Sequence, residues 1–151
     1  MATPLTESES LNKRRLYIGG QWVDPTSGEY FESYDPYTAK PWCLIPKGNA
    51  EDVDRAVTAA HQAFNSGEWP KLNASQRGAL LRKFGDLIAE HARRLAEIEV
   101  QDNGKLITEM AAQLKYIPQW YYYFGGLADK VEGAVLPTDK PVFNYTRHEP
   151  K

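Results

Sequence analysis

The chain is 151 residues long, 42% hydrophobic and 25% charged, with a formal net charge of −2 and a pI of about 5.9. That size allows one ordinary domain, and basic side chains scattered among nearly equal numbers of acidic ones leave no electrostatic footprint for nucleic acid or an anionic membrane surface. No apolar run approaches the roughly twenty residues that span a bilayer.

Residues 1–12 are polar and carry Glu7 and Glu9. They lack both the apolar core of a signal peptide and the acid-poor composition of a transit peptide, so a flexible tail over residues 1–14 is expected. From there, Leu16-Tyr17-Ile18 and Gln21-Trp22-Val23 flank Gly19-Gly20, which predicts a hairpin. Pro25-Thr26-Ser27-Gly28 supplies a second turn, Tyr30 to Tyr34 a further β-prone run, Asp35-Pro36 another turn, and Trp42 to Ile45 a buried-type strand stopped by Pro46 and Gly48. Four short strands are expected.

Asn49 opens a helix, with Asp52 placed for a capping box and Glu51 near the positive end of the dipole. Its predicted inward stripe is Val53, Ala56, Val57, Ala60 and Phe64, and Gly67 with Pro70 ends it. Asn73 with Gln76 repeats the capping signature ahead of a second stripe of Leu80, Leu81, Phe84, Leu87 and Ile88. The stripe drifts in phase at His91, which predicts a break there and a separate short helix over 92–101. Asp102-Asn103-Gly104-Lys105 then reads as a helix stop, with Gly104 suited to the left-handed cap position. Another helical stretch covers about 107–130, with Pro118 expected to kink or split it. The segment 142–148 alternates apolar and polar side chains and reads as an exposed strand.

Few side chains suggest chemistry by themselves. Cys43 sits in a β-prone run with no histidine or cation beside it in sequence, so a buried structural thiol is the simpler reading than a nucleophile. With a single cysteine, an internal disulfide is excluded, and a reducing, cytoplasmic setting is expected. His61, His91 and His148 lack the close spacing of a metal motif and read as surface or capping residues. Gly19-Gly20 and Gly125-Gly126 do not complete a GxGxxG fingerprint. The run Trp120-Tyr121-Tyr122-Tyr123-Phe124 points all around a helix and cannot form one stacking platform, so packing is its expected role.

Several motifs in one collinear order carry more weight. They are Tyr17-Ile18-Gly19-Gly20-Gln21-Trp22, Asp35-Pro36, Glu51-Asp52-Val53-Asp54 with Ala56-Val57 and Ala63-Phe64, and Trp69 before Arg77. Asp102-Asn103-Gly104-Lys105, Tyr122-Tyr123 with Ala128-Asp129-Lys130, Gly133, Pro137 and Tyr145-Thr146-Arg147-His148-Glu149-Pro150 complete the set. In this order the chain resembles the N-terminal part of the aldehyde dehydrogenase superfamily, over residues 16–150. The resemblance implies an α/β fold of short strands and a hairpin followed by helices leading into a Rossmann-like nucleotide-binding domain, incomplete in this chain. It assigns residues 15–136 to the N-terminal part of that domain and 137–151 to the start of an oligomerisation arm.

The resemblance further implies oxidation of a small-molecule aldehyde to a carboxylic acid with NAD or NADP, by a homo-oligomer, dimer or tetramer, without nucleic acid or membrane partners. In the family a cysteine thiolate forms a thiohemiacetal, hydride passes to the cofactor, and a glutamate activates water. The matching cysteine, glutamate and asparagine lie beyond Lys151, so this chain is expected to supply no catalytic and no assigned cofactor-binding residue. In several members an aspartate matching Asp102 holds a monovalent cation or magnesium with a backbone carbonyl from the segment matching Tyr34. A local helix-end role is the simpler reading of Asp102, and Lys105 has one too, as a cation meeting the negative end of the dipole. The family also runs the helix before the aromatic cluster along its substrate tunnel, which Tyr116, Ile117 or Trp120 would border. The contrasting expectation is a non-catalytic interaction or scaffold module that keeps this part of the fold. The coding sequence past Lys151 separates the two.

Overall fold

The computed structural model describes residues 11–149. The four expected strands are present as β2 (Leu16–Ile18), β3 (Gln21–Val23), β4 (Tyr30–Asp35) and β5 (Lys40–Pro46). Gly19 and Gly20 take φ of +59° and +82° in the β2–β3 turn, the left-handed conformations that let a tight hairpin follow the strands' own twist. Asn12–Lys13 forms a further strand, β1, parallel to β5 with Asn12 opposite Cys43, so the expected tail is already paired there. The rest of that tail, residues 1–10, lies outside the described residues. A three-stranded sheet results, in the order β1-β5-β4.

Helix α1 (Ala50–Ser66) starts on the predicted capping box: Asn49 Oδ1 accepts from the Asp52 amide at 3.1 Å, and Asp52 Oδ2 accepts from the Asn49 amide at 3.2 Å. Its predicted inward stripe is a correction. Val53, Val57 and Phe64 are exposed, as are Ala56 and Ala60, while the buried residue is Asp52 at 3%. Both Asp52 carboxylate oxygens accept from the Thr26 amide, at 3.1 and 3.3 Å, which ties the 25–28 turn to the start of the helix.

Helix α2 (Ala74–Asn103) runs 30 residues without the break expected at His91. Ala89, Glu90, His91 and Ala92 are all compatible with a helix, and nothing there removes a backbone donor. The drift in the stripe has another cause: the face turned to α3 (Ile107–Leu127) is built of small residues, Gly78, Gly85, Ala92 and Ala96. The two helices lie antiparallel, and at one end their backbones touch. A Cβ on Gly78 would stand 2.3 Å from the Gly125 carbonyl oxygen, and one on Gly125 would stand 2.8 Å from that of Gly78. At the other end Ala96, Met110 and Leu114 form the core, with Ala92, Val100 and Ile117 packed around them. Large apolar side chains of α2 (Leu80, Leu87, Leu95) face outward instead, while Phe84, half exposed, sets its ring edge-to-face against Tyr121 of α3 at 4.9 Å.

Pro118 does not split α3. It is buried inside the helix with its carbonyl against Gly85, so the lost N–H bond is offset by close packing on α2. The helix ends at Leu127, three residues short of the expected end, where Lys130 Nζ donates to the Gly126 carbonyl at 2.8 Å. The strand predicted over 142–148 contracts to β7 (Asn144–Tyr145), paired antiparallel with β6 (Val135–Leu136) in a small exposed hairpin. No helix among the described residues is long and apolar enough to cross a membrane.

Candidate functional site

The end of α2 meets the β4–β5 turn. Gly104, at φ +75°, closes the helix by donating to the Val100 carbonyl at 2.8 Å, and a Cβ there would stand 3.1 Å from Pro36 Cβ. Two motifs 66 positions apart in sequence, Asp35-Pro36 and Asp102-Asn103-Gly104-Lys105, are therefore in contact. Within the second, Asn103 Oδ1 accepts from the Lys105 amide at 2.9 Å, and Lys105 Nζ lies 3.7 Å from Glu99. The ammonium of Lys105 is thus turned to a carboxylate one turn back in the helix.

The hydrogen bond found for Asp102 is not the local helix-end bond expected of it, a role that Asn103 takes instead. Asp102 Oδ1 accepts from the Ser33 hydroxyl at 2.7 Å, and the Ser33 oxygen in turn accepts from Trp42 Nε1 at 3.2 Å. Asp102 therefore reaches strand β4 next to Tyr34. There the register slips at a bulge between Ser33 and Tyr34, leaving Tyr34 opposite Pro41, which has no N–H to give the Tyr34 carbonyl. The last turn of α2 has no basic residue to offset the negative end of its dipole. Among the described residues no group of three or more His, Cys, Asp or Glu that could hold a metal ion gathers at Asp102 or anywhere else. Neither Ser33 nor Trp42 was singled out by sequence, where each is an ordinary member of a β-prone run.

The three aromatic-helix residues part company. Tyr116 and Trp120 share an outward face of α3, rings T-shaped at 5.8 Å, and with Gln119 and Tyr123 they line a groove of about 280 Å³. Ile117 turns the other way, half-buried against the α2–α3 core.

The sequence matches the family model described as "Aldehyde dehydrogenase family" over residues 22–151. The chain belongs to the aldehyde dehydrogenase family. It is 45% identical over 127 residues to (Z)-2-((N-methylformamido)methylene)-5-hydroxybutyrolactone dehydrogenase of Acinetobacter baylyi, covering 84% of this chain and 26% of that protein. It is 37% identical over 147 residues to the mitochondrial aldehyde dehydrogenase family 2 member B4 of Arabidopsis thaliana, covering 97% of this chain and 27% of that one. Among solved structures, the NAD+ complex of the aldehyde dehydrogenase from Bacillus cereus superposes with a TM-score of 0.87 at 36% identity, over 92% of this chain and 28% of that chain. The chain thus spans a little over a quarter of the length of these relatives, and what it carries is the N-terminal part of the aldehyde dehydrogenase fold.

Cys43 is fully buried between β1 and β4 and cannot meet a substrate. Neither glycine pair forms a strand-to-helix phosphate turn: Gly19-Gly20 lies in a hairpin, and Gly125 is inside α3 against Gly78. His61, His91 and His148 are exposed, as expected.

Proposed function

We propose that the polypeptide containing this chain is an NAD(P)-dependent aldehyde dehydrogenase that oxidises a small aldehyde to its carboxylic acid, and that residues 11–149 supply scaffold rather than reacting groups. The observation that carries the reading is the collinear family match over residues 22–151, made by a chain that superposes on a solved relative with a TM-score of 0.87. That relative's complex with NAD+ favours NAD over NADP. Asp102 and the Tyr34 carbonyl hold a structural monovalent cation or magnesium on this reading, and Tyr116 and Trp120 border the path of the aldehyde. The exposed β6–β7 hairpin begins the arm through which subunits pair. The lone reduced cysteine agrees with a cytoplasmic setting.

The test is to read the coding sequence beyond Lys151 and to assay the polypeptide it encodes for aldehyde-dependent reduction of NAD+ and NADP+. Aldehyde-dependent reduction that vanishes on mutation of one downstream cysteine is the expected result. An open reading frame without a downstream cysteine and glutamate, or a purified product inert toward a broad aldehyde panel with both cofactors, would sink the proposal. The 151-residue chain alone should show no rise in melting temperature with NAD+, because it spans only 26% of the length of a full relative.

A further inference from the structure

We propose that Asn103 is a modification site, converting spontaneously to aspartate and isoaspartate, and that the hydrogen bonds closing α2 are the gate on that reaction. Of the six asparagines in the chain it alone precedes a glycine. A residue without a Cβ lets its backbone nitrogen come close to the preceding carboxamide. Lys13, Ala50, Ser66, Ala74 and Tyr145 follow the other five and hinder that approach. In the reaction the Gly104 nitrogen bonds to Asn103 Cγ and gives up its proton, the Cγ–Nδ2 bond breaks, and ammonia leaves behind a cyclic imide. Water then opens the ring at Cγ, giving aspartate, or at the main-chain carbonyl, giving isoaspartate with the chain routed through Cβ. One water is consumed and one ammonia released, with no change of oxidation state. Asn103 and Gly104 are both exposed, so that water is at hand.

The fold holds each group that must move. The Gly104 N–H is donated to the Val100 carbonyl at 2.8 Å. Asn103 is the last residue of α2, and a helical ψ keeps the following nitrogen away from its Cγ. Its carboxamide is pinned at both ends: Oδ1 accepts from the Lys105 amide at 2.9 Å, and Nδ2 donates to Glu99 Oε1 at 3.2 Å. Attack therefore needs the last turn to open. Fraying of a helix end is far less costly than global unfolding, so the gate slows the reaction without abolishing it. The product does not fit back into the turn. A carboxylate at position 103 has no N–H for Glu99 and adds a second negative charge beside Asp102 at the negative end of the dipole. Isoaspartate also lengthens the main chain at a point where a Cβ on Gly104 would already stand 3.1 Å from Pro36. Conversion is thus one-way, and it loosens the junction between α2 and the β4–β5 turn.

The experiment keeps the polypeptide, as its gene encodes it, in warm, mildly alkaline buffer, either native or in guanidinium chloride. Peptide mass spectrometry follows each asparagine, and a protease that cuts at aspartate but not at isoaspartate separates the two products. In denaturant, Asn103 should convert faster than the other five asparagines of this chain. Its native rate should be lower by roughly ten- to a hundredfold, as expected for a helix end that opens only a small part of the time. Glu99→Ala should raise the native rate by about two- to tenfold, the range for one hydrogen bond, and leave the rate in denaturant unchanged. Glu97→Ala, which removes an ion pair to Arg93 on the same helix, should change neither rate. Equal native and denatured rates would mean that the closed turn is no gate, and the proposal would fall. It would fall as well if Asn103 in denaturant were no faster than the other five. A native Glu99→Ala protein that converts no faster than wild type, or not at all, would overturn the pinning assigned to Glu99 and the gate with it.

Discussion

Glycine side chains that are absent hold the two long helices together. At Gly78 and Gly125 an added methyl group would meet backbone oxygen at 2.3 and 2.8 Å, which no rotamer change can relieve. Gly78→Ala should therefore destabilise by on the order of 1–3 kcal/mol through forced separation of the helices. Gly126→Ala meets nothing within 4 Å and should stabilise by about 0.5–1 kcal/mol, because it only removes freedom from the unfolded chain. Chemical denaturation of the two variants side by side checks the sign at each position. Asp52 supports a pH prediction. Burial works against its charged form, but the Asn49 and Thr26 backbone donors and the Arg55 guanidinium outweigh that and hold its pKa below the ordinary value. A folded-state pKa below the unfolded one contributes stability that is complete above about pH 4 and is lost as pH falls through the folded value. The urea midpoints of wild type and Asp52→Asn should accordingly differ most above that pH and converge as acid is added. A gap that is constant with pH would count against the role given to the charge.

The helix starts depend on short-range chemistry that the sequence displays openly. Asn73 Oδ1 accepts from the Gln76 amide at 2.9 Å, and Gln76 Oε1 accepts from the Asn73 amide at 2.9 Å. Asn73→Ala should lower stability by about 1 kcal/mol, and hydrogen exchange in the first turn of α2 should rise with it. Such caps, the glycine hairpin and the Gly104 stop were all legible, because each is decided within four or five residues. Helix interiors were less so. Reading Val53, Val57 and Phe64, or Leu80 and Leu87, as inward assumed that large apolar side chains find partners within the same chain; here the inward faces are Asp52 on α1 and glycine and alanine on α2. The same assumption produced the false break at His91. Pro118 misled for a related reason, since its penalty is local and its compensation, Gly85, lies on another helix. In the candidate site, Asp102 was legible through its motif. The Ser33–Trp42 pair was not, because the strand pairing that brings it to a helix end 69 residues away depends on the whole fold.

At the level of the molecule, the outward faces of α1 and α2 and the β6–β7 hairpin leave Val53, Val57, Phe84, Leu87, Phe143 and Tyr145 uncovered. In a chain that covers 26% to 28% of its relatives' length, these are surfaces that a larger assembly would bury. The 151-residue chain on its own should be oligomeric or poorly soluble, and a monodisperse monomer in sedimentation velocity would contradict this. One buried atom gives that experiment a companion. Cys43 is the sole thiol, fully enclosed in the middle strand of the sheet, with β1 on one side and β4 on the other. It can react with a disulfide reagent only when the sheet opens, so its labelling rate is an internal clock for local unfolding that needs no engineered probe. Cutting the chain after Lys13 should make that clock run faster while the α2–α3 pair keeps its amide protection, a direct way to time how the sheet and the helices come apart.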